Sequence, residues 1–68
     1  MDEDLEQHEI PDHVQHALRK VFPDASITHA EKETRMEIVY QLDIEQNGTK
    51  HEVVISRRGR ISEVASRD

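Results

Sequence analysis

"EIVYQLDIEQNGTKHEVVIS", residues 37–56, decides the fold. Its first half alternates strictly. Ile38, Tyr40, Leu42 and Ile44 fall on one face of an extended chain, and Val39, Gln41, Asp43 and Glu45 on the other. Asn47-Gly48 follows, a pair in which both residues tolerate positive φ, and therefore a strong short-range hairpin signal. "TKHEVVIS" then returns with His51, Val53 and Ile55 on the first face and Glu52, Val54 and Ser56 on the second. Two such strands want a cover over the Tyr40–Leu42 side and tolerate water on the other.

The flanks extend the same pattern. Downstream, "SRRGRISEV" (56–64) reads as another hairpin turn, with Gly59 in the left-handed position and Arg57, Arg58 and Arg60 at an exposed tip. A last short strand led by Ile61 places Val64 on the open face. Upstream, "SITHAEKET" (26–34) is a weaker strand, with Ile27 inward and Ala30 reaching the core only if a bulge shifts the phase. Before it, "IPDHVQHALRKVFPD" (10–24) spaces Val14, Ala17, Leu18 and Val21 as one helical stripe. Pro11 suits the first helical position, Asp12 and the Arg19–Lys20 pair match the helix dipole at its two ends, and Pro23 stops the helix. Phe22 is expected to fold back onto the core. The expectation is α+β: one N-terminal helix packed on a four-stranded antiparallel meander, with one sheet face open.

Composition bounds the rest. A chain of 68 residues makes a single domain with a small core. The net charge is −6, and Asp2, Glu3, Asp4, Glu6, Glu9 and Asp12 account for it, because acids and bases balance from residue 13 onward. Residues 1–9 are therefore expected as an acidic disordered tail and residues 10–66 as the α+β domain. The absence of cysteine rules out disulfides, a thiol nucleophile and thiolate metal sites. No apolar run is long enough for a membrane span, and the acidic start is unlike a signal peptide. By itself this leaves the compartment open, the cytoplasm included.

The order of these pieces resembles the PepSY-like family, also described as β-lactamase-inhibitor-protein-like domains. The residues that carry the resemblance are Ile10-Pro11, Phe22-Pro23-Asp24-Ala25, Ile27-Thr28, Tyr40-Gln41-Leu42-Asp43-Ile44, Asn47-Gly48 and Ser56-Arg57-Arg58-Gly59. The likeness spans about residues 10 to 64. Ser56 stands where the family usually has Asp, and His51 where an aromatic is common. The resemblance implies a helix on a four-stranded antiparallel sheet in a mostly exported, periplasmic, non-enzymatic family. Its members are thought to bind or restrain other proteins, in the best-known case through the exposed sheet face.

The chemistry-bearing residues point the same way. His13 and His16 sit at i, i+3 on the helix, but two imidazoles fall short of a ligand set, and both read as solvent-facing. His51, in phase with Val53 and Ile55, belongs at the margin of the core. Ser56, Ser62 and Ser66 lack a nucleophile's setting, so no catalytic residue, metal or cofactor is assigned. The arginine turn sits in a neutral domain whose two aromatics, Phe22 and Tyr40, fall at core positions, which argues against a nucleic-acid partner. The expected function is a small non-catalytic protein-binding module, an inhibitor or regulator of an exported enzyme. Its contact surface is the open face: Val39, Gln41, Asp43, Glu52, Val54 and Val64. The alternative is a self-associating structural domain, a monomer or weak homodimer that pairs through that face or an edge strand.

Overall fold

A computed structural model describes residues 2–66. The chain runs as β1 (Asp2–Asp4), a 3-10 turn (Gln7–Glu9), α1 (Asp12–Val21), β2 (Ser26–Thr34), β3 (Ile38–Gln46), β4 (Thr49–Ser56) and β5 (Ile61–Ser66). The strands form one antiparallel sheet in the order β1-β2-β3-β4-β5, with α1 nearest β4. The helix and meander expected from the alternation are present. The sheet has five strands rather than four.

The fifth strand comes from the acidic opening segment, expected as a disordered tail. It pairs with β2 at Asp2↔Glu33, Glu3↔Lys32 and Asp4↔Glu31. Leu5 anchors it: its N–H donates to the Ala30 carbonyl at 2.9 Å, and its side chain packs, partly buried, against the core. Composition concealed this, because five acids outweigh one leucine in any average of residues 1–9. Met1 lies outside the described residues.

Two bulges set which side chains reach the core. Between Ile27↔Ile44 and His29↔Asp43 the strand β2 carries Thr28 as an extra residue, and this phase shift turns Ala30 inward opposite Leu42. Ala30 is 2% exposed, as the bulge reading required. A second irregularity lies in β5, where Ile61 faces Ile55 but Glu63 already faces Val54, leaving Ser62 as the extra residue. Val64 is consequently opposite Val53, on the helix side. The placement of Val64 on the open face is therefore corrected: plain alternation from Ile61 cannot see the bulge.

The helix and its two flanks bury a four-residue row, Ile10, Val14, Leu18 and Phe22. Val21, expected in the stripe, is 53% exposed, because Ile10 and Phe22 just outside the helix occupy the two ends of the core. Pro11 is the N-cap rather than the first helical residue, and Phe22 leaves helical geometry at φ −126° as the residue before Pro23. The turn into β2 is tied down twice. Arg19 Nη1 donates to the Ala25 carbonyl at 2.8 Å, and the Asp24 N–H donates to Gln46 Oε1 at 2.9 Å. Leu42, Ile44, Val53 and Ile55 complete the core from the sheet, and the His51 ring packs on Phe22 with centroids 4.9 Å apart.

The hairpin turns follow the expected chemistry. Asn47 and Gly48 both have positive φ, 53° and 80°. Gly59, at φ +87°, lies where an added Cβ would sit 3.4 Å from His13, so that turn is packed against α1. His13 Nε2 donates to the Arg57 carbonyl and fastens the contact.

Candidate functional site

Strand register assigns one set of side chains to the face that α1 leaves uncovered. Asp2 and Asp4 come from β1, and His29, Glu31 and Glu33 from β2. Val39, Gln41 and Asp43 come from β3, Glu52 and Val54 from β4, and Glu63 from β5. The face is acidic from one edge to the other. Its cations among the described residues are His29, Lys50 opposite Glu45, Arg35, whose Nη2 lies 3.4 Å from Glu33 Oε1 at the β2–β3 turn, and Arg58 and Arg60, which border it beside Val39 and Ser56.

Five of the six residues expected to form the contact surface are brought together here, and Val64 is not. The two valines do not present an apolar patch. Val39 is 8% exposed and Val54 only 2%, because long polar neighbours close over them. Gln41 Nε2 donates to Glu52 Oε2 at 2.6 Å, a side-chain bridge between β3 and β4 on this face. What solvent and any partner meet is charge.

Acid opposes acid across β1 and β2 at Asp2↔Glu33 and Asp4↔Glu31, a pairing that destabilises a ladder unless a cation intervenes. His29 stands at that point. Its Nε2 is 3.3 Å from Glu31 Oε1 and 3.6 Å from Asp4 Oδ1. The hydrogen bond with Glu31, reinforced by the charges of Asp4, Glu31 and Asp43, raises the His29 pKa above its ordinary value against the opposing effect of burial. Asp43 lies directly across from His29 on β3, and its Oδ1 is buried with no hydrogen-bond partner among the described residues. These groups escaped the sequence reading. His29 and Glu31 are two apart on a strand and so share a face, which was a usable signal. Asp4 and Asp43 join them only through the pairing of β1 and the bulge at Thr28.

On the helix side, His13, His16 and Lys20 of α1 line a shallow groove with Arg58 and Gly59 of the last turn. Of the arginine tip, Arg58 thus shares a groove with α1, whose lining also includes Ala17, Val21 and Ile61. Among the described residues no helix is long and apolar enough to cross a membrane. No protein-family model, no curated protein and no solved structure matches this chain.

Proposed function

We propose that this chain is a small non-catalytic protein-binding module of the PepSY-like type, which docks a basic surface of its partner on the open sheet face. The observation that carries the reading is the band of acids across that uncovered face, Asp2 and Asp4 through Glu31, Glu52 and Glu63. Such a band steers a cationic partner and fixes its register, while the flat sheet offers area for contact. The role that follows from the family resemblance is inhibitor or regulator of an exported enzyme. Gln41, Asp43 and Glu52 supply the polar contacts, and Val39 and Val54 support them from beneath rather than touching the partner.

A second reading has its own support. The basic groove of His13, His16, Lys20 and Arg58 complements the acidic face, so one copy can bind another head to tail. One pair of measurements separates the two. Replacing Glu31, Glu52 and Glu63 with Lys should abolish capture of a partner from an envelope fraction while the far-ultraviolet circular dichroism stays unchanged. Light scattering of the wild type should report a monomer at every concentration. Capture undiminished by the triple replacement overturns the reading, and a concentration-dependent, salt-sensitive dimer favours self-association.

A further inference from the structure

The meeting point of Asp4, His29 and Glu31 brings three metal-ligating side chains together. A single imidazole nitrogen, His29 Nε2, faces both carboxylates, at 3.3 Å and 3.6 Å. One ring N–H can serve one acceptor, and a separation of 3.6 Å is too long for a hydrogen bond. The longer contact is therefore a charge contact with no shared proton. Two ligand atoms each about 2.1 Å from a tetrahedral zinc ion stand about 3.4 Å apart, which falls between the two observed separations. All three ligand atoms lie within 4.8 Å of one another.

The surroundings favour positive charge, whether from the His29 ring or from a metal ion. Asp4 and Glu31 are direct cross-strand partners, and Asp2 and Glu33 repeat the like-charge pairing one step along. The buried, unpartnered Oδ1 of Asp43 adds a further carboxylate across the strand from His29. Among the described residues, Asp4 and Glu31 make their ion pairs with His29.

We propose that Asp4 Oδ1, His29 Nε2 and Glu31 Oε1 form a site for a divalent transition metal of the zinc class, which staples β1 to β2. The donor set, one imidazole and two carboxylates, suits zinc and its neighbours better than calcium or magnesium, which prefer oxygen alone. Three protein ligands leave a fourth position to water. Asp43 serves as the outer carboxylate that holds the ligands in a negative field. Because one ligand comes from β1 and two from β2, binding and docking of β1 are one event. The proposal does not rest on the protein-binding reading, since it concerns a metal ion and one strand pair.

Calorimetric titration of chelator-treated protein with zinc chloride, followed by histidine-ring NMR, tests it. One equivalent of zinc should bind, shift the His29 ring resonances ahead of those of His8, His13, His16 and His51, and slow amide exchange at Leu5. His29→Ala, and separately Asp4→Asn and Glu31→Gln, should each weaken binding at least about tenfold, as loss of one of three ligands would. His16→Ala should leave binding unchanged. Because His29 and Asp4 are exposed, their replacements should fold, and the unchanged amide spectrum of the core checks this. Absence of one-to-one zinc binding overturns the proposal. So does binding that survives His29→Ala, binding centred on another histidine, or equal uptake of magnesium, which would mark a diffuse acidic surface.

Discussion

Gly59 and Gly48 occupy the left-handed region for the same reason and with different neighbours. An added Cβ at Gly48 meets open space, whereas at Gly59 it would touch His13 at 3.4 Å, ordinary contact distance. Gly48→Ala and Gly59→Ala should therefore each cost about 1–2 kcal/mol from φ alone, measured by urea denaturation. Asn at 48 should recover most of that loss, because it tolerates positive φ. Val54 and Val64 give a sharper contrast. At 2% exposed, Val54 is as buried as the core, and Val54→Glu should cost about 4 kcal/mol or more by burying an unpaired charge. Val64, 48% exposed, should accept Glu within about 0.5 kcal/mol. A loss of stability at 64 but not at 54 would mean that the β5 register is wrong. The same contrast makes Val54 unsuitable as a binding probe, a role better filled by Glu63.

At the scale of the element, α1 is held by a four-residue row. Leu18→Ala should cost about 2–5 kcal/mol, comparable with the whole stability of so small a domain, whereas Val21→Ala should fall within about 0.5 kcal/mol. A thermal melt distinguishes them. Val14 and Leu18 of α1 and the β3–β4 hairpin were legible in the sequence because each belongs to a period repeated over several residues, and Asn47-Gly48 fixed the phase of the hairpin. What was not legible came from single residues acting against a pattern. Ser62 reverses the phase of β5 and carries Val64 to the other face; nothing in "RISEVAS" marks it. Leu5 recruits an acidic segment into the sheet because β2 offers an unpaired edge, which no local reading of residues 1–9 contains. The Asp4–His29–Glu31 meeting inherits that blindness. In metal-free protein the docking of β1 should follow His29. Its raised pKa means that the protonated ring contributes fully below about 6.5, the unfolded value, and that the contribution is lost as pH rises through the higher folded value. Amide exchange at Leu5, corrected for its intrinsic pH dependence, should show less protection at about pH 9 than at about pH 6. Equal corrected protection at both would exclude the ring as the fastening charge.

Across the whole molecule, charge is sorted rather than balanced. Acids predominate along the sheet face, His13, His16 and Lys20 gather on the helix side, and Arg58 stands at the boundary between the two. This explains why the arginine turn reads poorly in isolation. In sequence it is three bases around a glycine, while in space it is one wall of a groove whose other wall is α1. The turn is held by backbone contacts, the Arg57 N–H to the Ile38 carbonyl and the Gly59 N–H to the Ser56 carbonyl. Replacing Arg57, Arg58 and Arg60 with Gln should therefore leave the melting temperature within about 2 °C. It should also leave nucleic-acid affinity at the same negligible level. Micromolar, salt-dependent binding of DNA or RNA that the replacement removes would contradict this.

The docking of β1 also bears on what the molecule avoids. A meander has two outer rims, and a rim of unsatisfied N–H and C=O groups is a template for uncontrolled polymerisation. On one side β5 is short and kinked by its bulge, a poor guide for an incoming chain. On the other, the nine-residue β2 would stand bare without β1. The strand laid over part of it carries Asp2, Glu3 and Asp4, so a foreign strand approaching that side meets a fence of negative charge. Removing residues 2–5 would strip the fence and the Leu5 anchor together. Such a truncation should remain folded yet turn cloudy on concentration, with growing thioflavin fluorescence, where the intact chain stays clear. In that case the like charges of β1, costly within one molecule, would be what keeps neighbouring molecules apart.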